Sequence, residues 1–146
     1  YVYENLDTGY MQGMCDILAP ILIIDNELKQ FLDQEDNSMR LYFSYRWFLL
    51  DFKRELSYEG VFNVWETIWS AACICTPHFT HFFALSLVQY YREIIIYNQM
   101  NYTDLIKFFN GKMAEKHDYI AILNLAKEHV RKICELYENE CESAQE

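Results

Sequence analysis

The spacing of apolar residues constrains this chain most, because it follows the period of a helix and nowhere the alternation of a strand. Residues 61–72 are typical, with apolar side chains three or four positions apart at Val61, Val64, Ile68 and Ala72. Only 4 glycines and 2 prolines occur among 146 residues, so few positions interrupt such patterns. The sequence therefore predicts an all-α fold, and its length suffices for a buried core without disulfides or metal.

Three short polar residues mark expected helix starts. Ser57 precedes the pattern at 61–72, Thr76 precedes Pro77, and Asp118 precedes the last apolar repeat. Side-chain oxygens at such positions accept hydrogen bonds from the free N–H groups of a first turn, and proline favours the first helical position. We expect the second of these helices to run to residue 98 and a shorter one to cover 103–109.

Four further segments have distinct compositions. Residues 11–24 are densely apolar and predict a mostly buried helix bent near Pro20. Residues 25–40 are polar and predict a short helix or an exposed connector, whereas residues 41–56 predict one buried helix with a charged last turn. The acidic end, 138–146, predicts a frayed tail, which leaves 1–137 as the expected domain.

The charge balance and the apolar runs disfavour several classes of function. Twelve basic and 22 acidic residues give a net charge of −10 without a basic patch, which disfavours nucleic-acid binding. The longest uncharged apolar run, 17–24, is far shorter than the ~20 residues of a membrane span. Tyr1 is typical of a fragment, and no secretory signal is predicted. Five scattered cysteines predict reduced thiols in the cytoplasm.

The usual signatures of self-contained enzymes are absent from the sequence. It has no glycine-rich phosphate loop, no Gly-x-Ser-x-Gly, no His-Glu-x-x-His and no Cys-x-x-Cys. Cys73, Cys75, His78 and His81 form one cluster of soft ligands, but their spacing is too short for two ligand pairs to wrap around zinc. We expect buried thiols and surface imidazoles there, with zinc as the less favoured alternative.

An arginine set is the first candidate for a site. Arg46 and Arg54 lie eight residues apart, on one side of the helix expected over 41–56, with Trp47 and Glu55 beside them. Ion pairs and stacking on aromatic faces would make these arginines structural, and substrate contact is the alternative.

A glutamine is the second candidate. Gln12 follows Tyr10 and lies between Gly9 and Gly13, which allow close approach of another group because they have no side chain. The residues alone leave two interpretations open, a capping or solvated residue and a functional one.

Three segments carry longer motifs. They are Gly-Tyr-Met-Gln-Gly-Met-Cys-Asp-Ile-Leu-Ala-Pro-Ile-Leu at 9–22, Tyr-Arg-Trp-Phe-Leu-Leu-Asp-Phe-Lys-Arg-Glu-Leu at 45–56 and Val-Phe-Asn-Val-Trp-Glu-Thr-Ile-Trp at 61–69. Together they resemble the TBC domain of Rab GTPase-activating proteins, and most of all the branch of the small G-protein signalling modulators. The resemblance continues to about residue 137, so it covers nearly the whole chain.

The resemblance implies that two side chains act in trans on a Rab GTPase that carries GTP and Mg²⁺. A glutamine from the Tyr-x-Gln motif, here Gln12, would orient the attacking water, while an arginine neutralises charge on the transferring phosphoryl group. The residues implied to support the glutamine loop are Gly9, Tyr10, Gly13 and Asp16. The residues implied to brace neighbouring helices are Arg46, Trp47, Arg54 and Glu55. The chain would need no cofactor of its own, and its partner would recruit it to endomembranes.

The chain departs from the family pattern in two places. The arginine motif Ile-x-x-Asp-x-x-Arg precedes Tyr-x-Gln in the family, but not before Tyr10 here. Because an arginine finger contributes about 10³ to 10⁵ in rate, we expect the isolated chain to be nearly inactive. Only 33 residues separate Gln12 from Arg46, so 25–40 resembles a join across an omitted segment. A GTPase-binding module without catalysis and a purely structural scaffold are the alternatives.

Overall fold

Every regular element in the described ranges is helical, which confirms the all-α prediction. The computed structural model describes residues 25–34 and 42–143, and the helix expected over 11–24 lies outside them. In chain order the elements are α1 (Asn26–Gln34), a 3-10 turn (Tyr42–Ser44), α2 (Tyr45–Leu49), α3 (Tyr58–Ile74), α4 (Phe79–Tyr90), α5 (Arg92–Tyr97), α6 (Tyr102–Lys107), a π-helical turn (Phe108–Lys112) and α7 (Tyr119–Ser143). None of these helices is long and apolar enough to cross a bilayer.

Two of the predicted helix caps are confirmed. Ser57 Oγ accepts a hydrogen bond from the Gly60 N–H at 3.2 Å and starts α3. Asp118 Oδ1 accepts from the Ala121 N–H at 3.1 Å and starts α7. Helix α7 then continues to Ser143, six residues into the segment that was expected to be a separate acidic tail.

The expected single helix over 76–98 is wrong, because two shorter helices occupy that range. Thr76 Oγ1 accepts from the N–H of His78 at 3.1 Å and therefore closes a turn, so that α4 begins only at Phe79. Tyr91 then separates α4 from α5. The polar segment after residue 24 contains the short helix α1, one of the two structures expected there.

Helix α4 forms the centre of the core. Its residues 83–88 are all buried, as expected for a helix that is apolar on most sides, and it packs against α3, α5 and α7. Aromatic rings complete the core, with Phe52 against Phe83 at 4.8 Å between ring centroids and Phe43 against Phe109 at 5.2 Å. These stacked and edge-to-face ring contacts join residues from different elements into one core.

An arginine connects α1 to the rest of the fold. Asp25 is buried, its Oδ1 accepts from the Leu28 N–H at 2.9 Å, and its Oδ2 accepts from Arg92 Nε at 2.8 Å. Arg92 also pairs with Glu27 and Glu93. One carboxylate therefore both caps α1 and holds it against α5.

A buried tyrosine and histidine meet where α4 ends. Tyr91 Oη and His117 Nδ1 share a hydrogen bond of 2.9 Å, and His117 is only 7% exposed. Burial raises the pKa of Tyr91 to about 12 and lowers the pKa of His117 from 6.5 to about 4. Both side chains are therefore neutral at physiological pH.

We expect the folded state to lose stability as the pH falls from 6.5 towards 4. The pKa of His117 is lower in the folded chain than in the unfolded one, so protonation at acid pH favours the unfolded chain. The neutral histidine therefore makes its full contribution to the free energy of unfolding only above pH 6.5. This shift corresponds to about 3 kcal/mol. Between pH 7.5 and pH 4.5, the free energy of unfolding in urea should fall less for His117→Asn than for the parent. An equal fall in both proteins would contradict the conclusion that His117 causes this acid sensitivity.

Candidate functional site

Residues 45–56 form a short helix followed by a tight turn, so the single helix expected over 41–56 is wrong. Helix α2 ends at Leu49, and Asp51 and Phe52 have φ angles of 47° and 60°. The Phe52 N–H donates to the Trp47 carbonyl at 2.8 Å, a bond that closes helix ends at left-handed residues. Left-handed backbone is unfavourable for residues with a Cβ atom, so contacts elsewhere must maintain it.

One such contact comes from α3. Trp65 Nε1 donates to the Asp51 carbonyl at 2.6 Å and so fixes the turn against the following helix. Phe52 contributes a second restraint, because its ring is fully buried in the core. The turn is therefore stabilised by tertiary contacts rather than by its local sequence.

The turn brings Glu55 back to Arg46. Arg46 Nε and Glu55 Oε1 lie 2.6 Å apart, with side-chain exposures of 28% for the arginine and 0% for the glutamate. A carboxylate without access to water is costly unless it is paired, so Arg46 provides the charge that permits this burial. The Glu55 carbonyl also accepts from the Glu115 N–H at 3.0 Å, which ties the turn to the loop before α7.

Trp47 lies next to this ion pair in sequence and points into the core. It is fully buried, with ring centroids 5.5 Å from Phe43, 5.2 Å from Phe109 and 6.1 Å from Phe52. These distances are those of packed aromatic pairs. The tryptophan therefore fixes α2 against the π-helical turn.

Arg54 occupies a different environment. It is exposed, and it forms no ion pair with any residue of the described ranges. With Lys53 it lines a cleft of about 630 Å³ whose other walls include Tyr58, Phe62 and Trp65. The structure thus brings together three of the four residues expected to brace the helices, and the bracing role itself stays a prediction.

The other predicted site residues cannot be placed in this geometry. Gln12 and its expected supporting residues Gly9, Tyr10, Gly13 and Asp16 lie outside the described residues. The glutamine finger therefore stays a prediction.

The cysteines near α4 differ from expectation. Cys73 and Cys75 are exposed, so the expected burial of these thiols is wrong. Cys73 lies in the last turn of α3 and Cys75 directly follows that helix, and Ile74 between them is also largely exposed. Across 25–34 and 42–143, no three His, Cys, Asp or Glu residues are placed to hold a metal ion.

Comparison with known proteins identifies relatives across nearly the whole chain. The chain is 43% identical over 181 residues to small G protein signaling modulator 2 of Mus musculus, covering 95% of this chain and 18% of that protein. It is 40% identical to small G protein signaling modulator 1 of Homo sapiens, covering 95% and 16%. It is 37% identical to Rab GTPase-activating protein tbc-8 of Caenorhabditis elegans, covering 90% and 19%. No protein-family model matches the chain.

These alignments also reveal a difference in length. The chain spans less than a fifth of each of these three relatives. The alignment with the mouse protein is 181 residues long, although this chain has only 146 residues, so that relative contains residues without a counterpart here. The expected position of these missing residues, within the segment 25–40, stays a prediction.

We expect Arg46→Met to destabilise the fold by about 3 kcal/mol, because it leaves the Glu55 carboxylate buried without its partner. Glu55→Gln should cost less, and Arg46→Met/Glu55→Gln should be more stable than Arg46→Met alone, because the double variant buries no charge. Free energies of unfolding in urea measure these effects.

Arg54→Met is the matched control for this series. Its effect should stay within about 0.5 kcal/mol, because Arg54 is exposed. Equal costs for Arg46→Met and Arg54→Met would contradict the structural role of the Arg46–Glu55 pair.

Proposed function

Because the chain belongs to the TBC family of Rab GTPase-activating proteins, in the branch of the small G-protein signalling modulators, we propose that it forms part of a domain that accelerates GTP hydrolysis by a Rab GTPase. The GTPase brings GTP and Mg²⁺, and the chain contributes side chains in trans. The proposal places this activity in the cytoplasm, on membranes to which the GTPase recruits the protein.

The geometry of residues 45–56 is the observation that carries this proposal. The motif on which much of the resemblance depends forms one unit, in which Arg46, Glu55 and Trp47 are held by an ion pair and by aromatic contacts. None of the three is free to contact a substrate. Their role in the proposed function is to hold α2 and α3 in place while other residues act on the GTPase.

Gln12 is the catalytic residue of the proposal. Its side-chain amide has an acceptor and a donor, so it can accept a hydrogen bond from the attacking water and donate one to a phosphoryl oxygen. Such contacts accelerate hydrolysis when they are stronger in the transition state than in the ground state. Gly9 and Gly13 would leave space for the nucleotide, and Tyr10 and Asp16 would hold the loop.

The arginine finger of the proposal comes from sequence outside this chain. Arg46 is committed to Glu55, and Arg92 to three carboxylates, so neither is available to stabilise a phosphoryl group. Arg54 and Arg131 are exposed but do not lie in the family's arginine motif. We therefore expect the isolated chain to accelerate hydrolysis only weakly.

A GTPase-binding module without catalysis is the second candidate function. The exposed aromatic residues on α3 favour it, because Tyr58 is 82% and Phe62 is 56% exposed beside the cleft that Lys53 and Arg54 line. Aromatic and arginine side chains are enriched at the centres of protein interfaces. This surface would support docking of a partner whether or not hydrolysis follows.

Single-turnover GTP hydrolysis over a panel of purified Rabs tests the proposal. A longer protein in which an Ile-x-x-Asp-x-x-Arg motif precedes Tyr10 should accelerate hydrolysis by at least one Rab. Gln12→Ala in that protein should reduce the rate about 10²- to 10³-fold, because it removes one transition-state contact.

Gln30→Ala serves as the matched control, since Gln30 is exposed on α1, and its rate should equal that of the parent. An unchanged rate for Gln12→Ala would contradict the glutamine finger. If the longer protein binds a GTP-loaded Rab without accelerating hydrolysis, the binding module replaces the enzyme activator.

A further inference from the structure

An open groove separates α3 from α7. The two helices meet at their first turns, where a Cβ atom at Gly60 would lie 3.0 Å from Tyr119 Cδ1. Ile74, near the end of α3, and Cys134, four turns further along α7, line the same groove, whose volume is about 820 Å³. The helices therefore run in the same direction and form the two walls of one groove.

The apolar part of this groove consists of a closed floor and two exposed side chains. Phe79, Leu123 and Val130 line the floor and are buried in the chain's own core, so they contribute little surface to a partner. Ile74 and Ile120 also line the groove, and they are 83% and 58% exposed. A partner that covers these two isoleucines removes their side chains from water, which favours binding.

The α7 wall is basic. Lys127 and Arg131 line the groove one helical turn apart, and both are exposed. Neither forms an ion pair with a residue of the described ranges, and Glu66 is the only carboxylate among the described residues of the lining. Because the chain as a whole has a net charge of −10, this wall is a local exception to an acidic protein. It favours a partner with negative charge.

The α3 wall carries small polar side chains. Asn63, Thr67 and Ser70 line the groove at intervals of four and three residues, which places them on one side of α3. Asn63 Nδ2 donates to the Glu59 carbonyl at 2.9 Å, and Thr67 Oγ1 donates to the Asn63 carbonyl at 2.8 Å. Since these donors bind their own helix, the wall suits close packing of a helix better than recognition of a small polar ligand.

We propose that the groove between α3 and α7 binds an acidic amphipathic helix of another protein, antiparallel to both walls. Grooves between helices bind such helices through their apolar faces, and complementary charge selects the partner. The antiparallel direction is favoured because the dipoles of α3 and α7 point the same way. This inference does not depend on the proposed GTPase-activating function.

The spacing along α7 specifies the sequence pattern of the bound helix. Counted back from Cys134, Arg131 is three residues away, Lys127 is seven and Ile120 is fourteen. An antiparallel helix of equal rise therefore has apolar residues at its positions 1 and 15 and acidic residues at its positions 4 and 8. The two apolar positions are about 21 Å apart, which matches the two ends of the groove.

Two labelled peptides test the proposal on the complete 146-residue chain by fluorescence anisotropy. Both are alanine-based helices with leucine at positions 1 and 15, and they differ only in glutamate or lysine at positions 4 and 8. The acidic peptide should bind the parent at least ~10-fold more tightly than the basic peptide. Lys127→Glu/Arg131→Glu should reverse this preference, and Lys127→Gln/Arg131→Gln should abolish it.

Two further variants separate the groove from the overall charge. Ser70→Trp should weaken binding of the acidic peptide about 10-fold without a change in charge, because the indole occupies space that the bound helix needs. Lys107→Glu/Lys116→Glu is the matched control, since it makes the same charge change as Lys127→Glu/Arg131→Glu at exposed positions outside the groove. It should keep the preference of the parent. Far-UV circular dichroism verifies that each variant keeps the helical content.

Several results would overturn the proposal. These are no saturable binding by about 1 mM acidic peptide, equal affinity for both peptides, or a preference that is lost in the Lys107→Glu/Lys116→Glu control as well. Displacement of the acidic peptide by phosphatidylserine vesicles would assign the groove to a lipid surface instead. A parent dimer that Ser70→Trp dissociates, measured by sedimentation equilibrium, would assign it to a second copy of the chain.

Discussion

The buried carboxylate of Glu55 is the constraint on which the described fold depends most. Its full burial requires Arg46, and the two residues meet only because the chain reverses at Asp51 and Phe52 through left-handed backbone. The same reversal places Phe52 in the core and leaves Trp47 against Phe109. An ion pair, a strained turn and an aromatic core are thus parts of one arrangement, and the removal of any one of them weakens the others.

Helix content and several helix starts were predictable because their causes are local. Ser57 and Asp118 cap the helices that follow them through side-chain hydrogen bonds that span three residues. The family followed from the motifs at 9–22, 45–56 and 61–69, and the similarity to the signalling modulators confirms it.

Two helix ends were not predictable because their causes are distant in sequence. Neither glycine nor proline marks the turn after Leu49, which depends on a hydrogen bond from Trp65 on the next helix. The break at Tyr91 also has no local signal, since the tyrosine meets His117 from a loop 26 residues later. The turn after Leu49 also explains why Arg54 lies apart from the Arg46–Glu55 pair. A continuous helix over 41–56 would have placed both arginines on one side.

We propose that this chain contributes to the transition state of GTP hydrolysis rather than only to GTPase binding. The most direct measurement is the affinity of the 146-residue chain for Rabs loaded with GDP, in the presence and absence of aluminium fluoride, which occupies the place of the transferring phosphoryl group. A transition-state contributor binds the aluminium fluoride state more tightly, and we expect at least ~10-fold for the responsive Rab. Equal affinity for the two states, in a Rab that binds the chain, would contradict the claim.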